Sequence, residues 1–349
     1  MGPSFVSRLF ATDLAVDLGT SNTLIFARGQ GVVLQEPSII ATAADGSVLA
    51  AGAEAKAMLG REPGSVTVMR PIRNGVVAEP DLAQKMLETF LARLAGRWPK
   101  WIRPRVIVTV PSGITQVERR AVRDLVQGAG AREVYVVTEA FAAAVGAGIP
   151  IQEAHGNIIV TIGGGTTEVA LLSLSGVVHC ESVRTGGDEM DDAIVQWVRK
   201  HHSLLIGALQ AENIKLSLGS ARAVVAGREL AVKGRAIIEG LPRTITLTDE
   251  EVAEALRESV VTIVDAVRAC LERTPPELAG DIVERGLVVA GGGALLPLLD
   301  DVLHEETGLP VAIAEEPLAC AALGAGKMLE DVAILKRIAA DLSGAPTRS

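Results

Sequence analysis

Aromatic residues make up only 3% of this 349-residue chain: three Trp, one Tyr and five Phe. A core of the size such a chain needs must therefore be assembled from Ala, Val, Leu and Ile, and the 48% hydrophobic content supplies them. Cysteine is equally scarce. Cys180, Cys270 and Cys320 stand far apart, with no Cys-x-x-Cys and no His at ligand spacing. That pattern argues against a disulfide framework or a metal site and for buried thiols in a reducing compartment. No run of about 18 uninterrupted apolar residues reads as a membrane span. The short N-terminal apolar stretch, followed at once by Asp13 and Asp17, does not read as a signal peptide, so a cytoplasmic protein is expected. Positive charge is in deficit, with 33 Lys and Arg against 42 Asp and Glu and a net charge of −9. This speaks against nucleic acid as the main partner, since binding to phosphate polymers rewards clustered Lys and Arg. The length suggests two domains rather than one.

What the chain has in abundance is glycine, 36 residues, placed at junctions between apolar runs. Two phosphate-loop signatures lie about 144 residues apart, Asp17-Leu18-Gly19-Thr20-Ser21-Asn22-Thr23 and Thr161-Ile162-Gly163-Gly164-Gly165-Thr166-Thr167-Glu168. Each follows a strand-like apolar run, and a third cluster, Gly291-Gly292-Gly293-Ala294-Leu295, follows another. Phosphate oxygens need backbone N–H donors at close range, which a strand-to-turn junction can supply only where side chains are small. One such cluster is weak evidence because tight turns use glycine structurally. The recurrence points to a nucleotide clamped by two turns.

The chain alternates strands with helices. Leu14–Leu18 and Thr23–Ala27 read as strands of a meander, Arg105–Val110 as a strand ending at Pro111, and Thr115–Gln127 as a helix stopped by Gly128 and Gly130. Strand Val134–Val137, helix Glu139–Ala147 and strand Asn157–Ile162 follow. The second half repeats the plan, with strands Thr166–Leu172, Val177–Val183 and Leu287–Ala290 and helices Met190–His201 and Glu250–Glu272. Gly186-Gly187-Asp188 reads as a tight turn capping a helix. Such an α/β chain implies parallel strands covered by helices, with a ligand at the carboxyl ends of strands.

Several motifs together resemble the MreB family of bacterial actin-like proteins, within the superfamily that also holds actin, sugar kinases and chaperone ATPases. They are the two loops and the glycine cluster above, Gln116-Val117-Glu118-Arg119-Arg120-Ala121-Val122-Arg123, and Gln127-Gly128-Ala129-Gly130-Ala131-Arg132-Glu133-Val134. The resemblance runs from about Asp13 to about Met328. It implies an actin-like ATPase fold of two duplicated domains with a nucleotide cleft between them. Domain I would span residues 13–150 and be completed by C-terminal helices at about 319–340; domain II would span 151–318. A polar tail, 341–349, would follow.

The resemblance also implies roles. Asp17 would hold magnesium through water, and Gly19, Thr20, Ser21 and Asn22 would bind phosphates of ATP or ADP. Glu139 would orient the attacking water. Gly163, Gly164, Gly165 and Thr166 would wrap the β- and γ-phosphates, Glu212 and Lys215 would contact ribose and base, and Gly292, Gly293, Ala294 and Leu295 would pass beneath the adenine. For Glu212 and Lys215 the plainer alternative is an exposed ion pair between the two. Two positions depart from the family pattern: Thr161 stands where the family has Asp, and Thr138-Glu139-Ala140 replaces Glu-Glu-Pro. Loss of a carboxylate near a metal commonly costs 10- to 100-fold in affinity or activity, so ATP binding with slow hydrolysis is expected.

Residues 1–12 can form an amphipathic segment with Phe5, Val6, Leu9 and Phe10 on one face. Trp98 and Trp101, set among Arg97, Lys100, Arg103 and Arg105, make a second membrane-interface candidate. The implied function is a head-to-tail filament of paired protofilaments on the inner face of the cytoplasmic membrane, working with the cell-wall elongation machinery to set rod shape. A sugar kinase would need a substrate-binding insertion and a catalytic Asp between the halves, and a chaperone would need a further substrate domain. Neither is visible.

Overall fold

The computed structural model describes residues 13–94, 103–223 and 227–330. The membrane candidates Phe5, Val6, Leu9, Phe10, Trp98 and Trp101 lie outside these. The chain divides into two compact units, one running to Ile151 and resuming at Leu318, the other spanning Gln152–Pro317.

In the first unit, β1 (Leu14–Leu18), β2 (Asn22–Ala27) and β3 (Gly31–Pro37) form an antiparallel meander. β4 (Ile40–Ala43), β5 (Val48–Ala51) and β6 (Val66–Met69) make a small separate sheet, and β7 (Ile72–Arg73) and β8 (Val76–Val77) a hairpin. The main sheet has the order β10-β9-β1-β2-β3, with β9 (Arg105–Val110) and β10 (Glu133–Thr138) joined in parallel to β1. β1 is buried at every position, as the central strand of a sheet covered on both faces must be. Helices Pro80–Leu94 and Gln116–Gly128 bring Met86, Phe90, Val122 and Leu125 into the core beside Val16 and Val108. The second of these helices starts where Thr115 and Glu118 form a reciprocal capping box, a start signal present in the sequence. Helix Glu139–Gly146 packs against helix Cys320–Glu330 on Ala15 and Ile107. Gly324 lies against the Ala142 carbonyl and Gly146 against that of Cys320, so neither position has room for a Cβ.

The second unit repeats the plan. β11 (Asn157–Ile162), β12 (Thr167–Ser173) and β13 (Gly176–Val183) form the meander. A three-stranded sheet is made of β14 (Leu204–Leu205), β15 (Glu229–Ala236) and β16 (Pro242–Thr248), while β17 (Leu287–Ala290) and β18 (Val311–Ile313) complete the main sheet in the order β13-β12-β11-β17-β18. β17 runs parallel to β11. The 24-residue helix Asp249–Glu272 begins at a second capping box, between Thr248 and Glu251, and buries Leu256, Ile263 and Val267 with Ile158 and Leu171. Both sheets are thus mixed, with an antiparallel meander on one side of the first strand and parallel strands on the other.

The predicted elements appear within a few residues of their expected limits, with one exception. Gly186 caps the helix Gly187–His202 as expected, but in an extended conformation rather than a tight turn. Cys270 and Cys320 are buried as expected, whereas Cys180, on the edge strand β13, is only half-buried.

Candidate functional site

The first loop closes β1 onto β2 with the Gly19 N–H donating to the Asn22 carbonyl at 3.1 Å. Ser38, fully buried just after β3, secures it twice: its N–H donates to the Ser21 carbonyl at 2.9 Å and its hydroxyl to the Gly19 carbonyl at 2.7 Å. That hydroxyl has one proton, so the 2.8 Å contact with Thr23 Oγ1 must be donated by Thr23. The loop hydroxyls are held as acceptors, Thr20 Oγ1 by the Gly75 N–H at 2.9 Å and Ser21 Oγ by Arg70 Nη1 at 3.1 Å. Both hydroxyls are thereby fixed in place by the segment that follows β6. Asp17, at the penultimate position of β1, is buried and accepts from Thr109 Oγ1 at 2.5 Å, Thr109 being its register partner on β9. Burial pushes its carboxyl up to about 6, partly opposed by that hydrogen bond. No Lys or Arg is paired with Asp17 among the described residues.

The second loop makes the same turn, the Gly163 N–H donating to the Thr166 carbonyl at 2.8 Å. Its support differs. The N–H groups of Gly187 and Asp188, opening the 187–202 helix, donate to the carbonyls of Gly163 and Gly164 at 3.0 and 2.7 Å. A Cβ on Gly186 would stand 2.6 Å from the Gly163 oxygen and 2.7 Å from that of Gly164, so only glycine lets the helix approach. Thr167 Oγ1 donates to the Thr185 carbonyl at 2.7 Å. With these carbonyls drawn toward the helix, the loop can present N–H groups on its other side.

Thr161 occupies in β11 the place that Asp17 holds in β1, two residues before the loop's first glycine. Its hydroxyl is buried and has no hydrogen-bond partner among the described residues. The register explains this: the parallel neighbour of Thr161 is Ala290, where Asp17 has Thr109. Across the antiparallel ladder Thr161 faces Glu168, itself buried, where Asp17 faces Leu24. Directly opposed residues share a sheet face, so a carboxylate does stand on this face, one strand removed from the expected position.

The glycine cluster follows β17. Gly291, with φ +83°, donates its N–H to the Pro317 carbonyl at 2.8 Å and packs on the backbone of Ile162 at the end of β11. Gly292–Leu295 forms a single 3-10 turn with Ala294 buried and Leu295 exposed. The second loop and the glycine cluster are therefore brought together in one unit.

Lys215, on helix Ala208–Leu218, donates to the Gly187 carbonyl at 2.6 Å and pairs with Asp191 at 2.8 Å. Its carboxylate partner is thus on the neighbouring helix and is not Glu212. Asp191 is buried, and desolvation raises its pKa to about 6 against the opposing pull of Lys215, with Glu212 and Asp188 adding to the rise. Glu139 begins its helix directly after β10, in the first-turn position that favours a carboxylate. Sequence reasoning missed Ser38, Thr109, Gly75 and Arg70. Only the Asn74-Gly75 turn pair carried a local signal for any of them.

The MreB/Mbl protein family matches residues 11–337 of the chain. The cell shape-determining protein MreB of Escherichia coli strain K12 is 52% identical over 327 residues, covering 92% of this chain and 94% of that protein. The crystal structure of MreB 5 of Spiroplasma citri bound to AMPPNP superposes with a TM-score of 0.89 at 34% identity, covering 97% of this chain and all of that one; an ADP-bound structure of the same protein gives 0.87. A MamK double helical filament, 21% identical with a TM-score of 0.77 over 92% of this chain and 99% of that one, shares the fold. The fold is actin-like, and the chain belongs to the MreB/Mbl family of cell shape-determining proteins.

Proposed function

We propose that this chain binds ATP or ADP with magnesium, polymerises head to tail into paired protofilaments on the inner face of the cytoplasmic membrane, and organises cell-wall synthesis there. The observation that carries the nucleotide reading is the duplicated loop: two turns closed by the same N–H to carbonyl bond, each at the carboxyl end of the first strand of its sheet. The AMPPNP and ADP complexes of the Spiroplasma relative support it.

The residues fit a magnesium ion held mainly through water. Asp17 is a single buried carboxylate whose charged form is disfavoured by desolvation, and a cation beside it would reverse that. No cluster of three or more His, Cys, Asp or Glu exists among the described residues to form an all-protein cage, which suits magnesium bridging phosphates. When bound, the metal would neutralise phosphate charge. Glu139 holds the attacking water, Gly163, Gly164, Gly165 and Thr166 wrap the distal phosphates, Glu212 and Lys215 border the nucleoside, and Gly292 to Leu295 lie beneath the base. The Lys215 ammonium also fastens the 187–202 helix whose N-terminus supports the second loop.

Hydrolysis is slow in this reading because Thr161 offers neither a charge nor a satisfied hydroxyl at the second loop. The same observation favours a second reading, a divergent paralogue whose filament serves another role. Residues 1–12 with Trp98 and Trp101 attach the filament to lipid. Co-sedimentation with anionic liposomes and ATP, with phosphate release followed in the same sample, tests the proposal. Pelleting should require nucleotide and lipid and be lost on deleting residues 1–10. A protein that remains soluble under every condition would refute self-assembly on membranes.

A further inference from the structure

Helix Gly187–His202 meets the second loop through the Gly187 N–H and through the peptide that joins Gly187 to Asp188. The carbonyl of that peptide accepts from Lys215 Nζ at 2.6 Å, and its N–H donates to the Gly164 carbonyl at 2.7 Å. Across a trans peptide the C=O and N–H point in opposite directions, so the next N–H in the series, that of Gly165, is turned away from the helix. The ammonium is held in turn by Asp191, one turn further along the same helix, whose Oδ1 lies 2.8 Å away. That contact is ionic, because Oδ1 has no well-directed hydrogen bond among the described residues. Both side chains are largely withdrawn from water, at 15% and 11% exposure. Gly187 admits the ammonium, since even a Cβ there would stand 3.3 Å from Nζ. The chain of contacts therefore runs from a carboxylate, through an ammonium and two peptide groups, to an N–H of the loop.

We propose that Asp191 is a positioning residue for the second loop, acting through Lys215 and the Gly187–Asp188 peptide to hold the Gly165 N–H toward a bound phosphate. This rests on the nucleotide reading given above. A hydrogen bond from a charged donor polarises the peptide that accepts it, and successive bonds of this kind strengthen one another where water is excluded. An ammonium beside the first turn of a helix is repelled by the positive end of the helix dipole, so anionic neighbours must retain Lys215 there. The charged groups that act on Asp191 are Lys215 and Glu212 on the neighbouring helix and Asp188 on its own. Burial and the two further carboxylates favour its protonated form and push it up to about 6. A proton on Asp191 removes the charge that retains Lys215, and the support of the loop weakens as pH falls through that value.

Calorimetric binding of AMPPNP with magnesium to the full chain, at about pH 7.5 and at about pH 5, tests this. Asp191→Asn should weaken binding about tenfold at the higher pH, as for loss of a charge-assisted hydrogen bond, and only about twofold at the lower, where the parent carboxyl is itself mostly protonated. In a Lys215→Gln background the Asp191→Asn change should cost about twofold or less at either pH, because the carboxylate acts through the ammonium. A merely structural Asp191 would instead lower the melting temperature of the nucleotide-free protein and weaken binding by the same factor at both pH values. That result, or an Asp191→Asn variant that binds like the parent at the higher pH, overturns the proposal. A parent that does not bind AMPPNP overturns the nucleotide reading itself. Should Asp191→Asn fail to fold, Lys215→Gln decides: its affinity must fall less than the parent's between the two pH values, and an equal fall overturns the proposal.

Discussion

The two loops close with the same hydrogen bond and are supported by different means. In the first unit a serine hydroxyl from the residue after β3 satisfies the Gly19 carbonyl, while in the second a helix N-terminus satisfies that of Gly163. The acidic position differs too: Asp17 has Thr109 beside it, and Thr161 has Ala290. The lesson is that the duplicated backbone fixes where a phosphate can sit, whereas the side chains around it divide the work unequally. The first loop carries the buried charge of Asp17 and two hydroxyls anchored from outside the loop. The second is almost wholly backbone, with its remaining charge on Glu168.

The most severe way to disturb this comparison is to make the second half like the first. Thr161→Asp should raise steady-state phosphate release by about tenfold or more; an unchanged rate would remove Thr161 as the cause of slow turnover. The same change places two carboxylates opposite each other, at 161 and 168, so the nucleotide-free variant should be less stable than the parent and recover with magnesium and nucleotide. Adding Ala290→Thr gives the new carboxylate the neighbour that Asp17 has, and should recover part of that stability in a double-mutant cycle.

Next come the supports. Gly186→Ala forces a methyl group against two carbonyl oxygens and should cost about 1–3 kcal/mol in urea unfolding. Ser38→Ala leaves the Gly19 carbonyl and the Thr23 hydroxyl without a partner and should cost a similar or smaller amount, about 1–3 kcal/mol. If Ser38→Ala proved neutral, the serine would not be the counterpart of the helix N-terminus.

A smaller effect concerns pH. Burial pushes the Asp191 carboxyl up to about 6 from its ordinary 3.8. The folded protein therefore holds this proton more tightly than the unfolded chain. The contribution is fully present below about pH 4 and is lost as pH rises toward and through 6. Urea midpoints across that range should show the decline, and Asp191→Asn should flatten it. The least effect is chemical: Cys180 should react with a thiol reagent before Cys270, whose thiol burial pushes up to about 11.

Much of this was legible in sequence. Glycine junctions and β-branched runs located the strands, because a buried central strand such as Leu14–Leu18 has to be apolar throughout, and the repeat of loop after strand disclosed the duplication. The contacts that hold the loops were not legible. Ser38 reaches back 19 residues to Gly19, Arg70 reaches 49 and Thr109 reaches 92 to Asp17, and no local period encodes such distances. Lys215 shows the same limit: Glu212 is its neighbour by helical spacing, but tertiary packing supplies Asp191. Gly186 read as a turn because glycine commonly marks one, while its actual use is to admit a helix N-terminus beside the loop.

Helix Cys320–Glu330 lies on the first sheet against helix Glu139–Gly146 with glycines at both contacts. During synthesis, its partner surface is made long before it. At about 5–20 residues per second, roughly 10 to 35 s separate the emergence of Gly146 from that of Cys320. In that interval Ala142, Val137 and Ile107 lack their cover, while the intervening unit, whose segments are contiguous, can fold on the ribosome. The first unit, though begun first, is finished last, and that apolar face stays uncovered until the helix Cys320–Glu330 has been made.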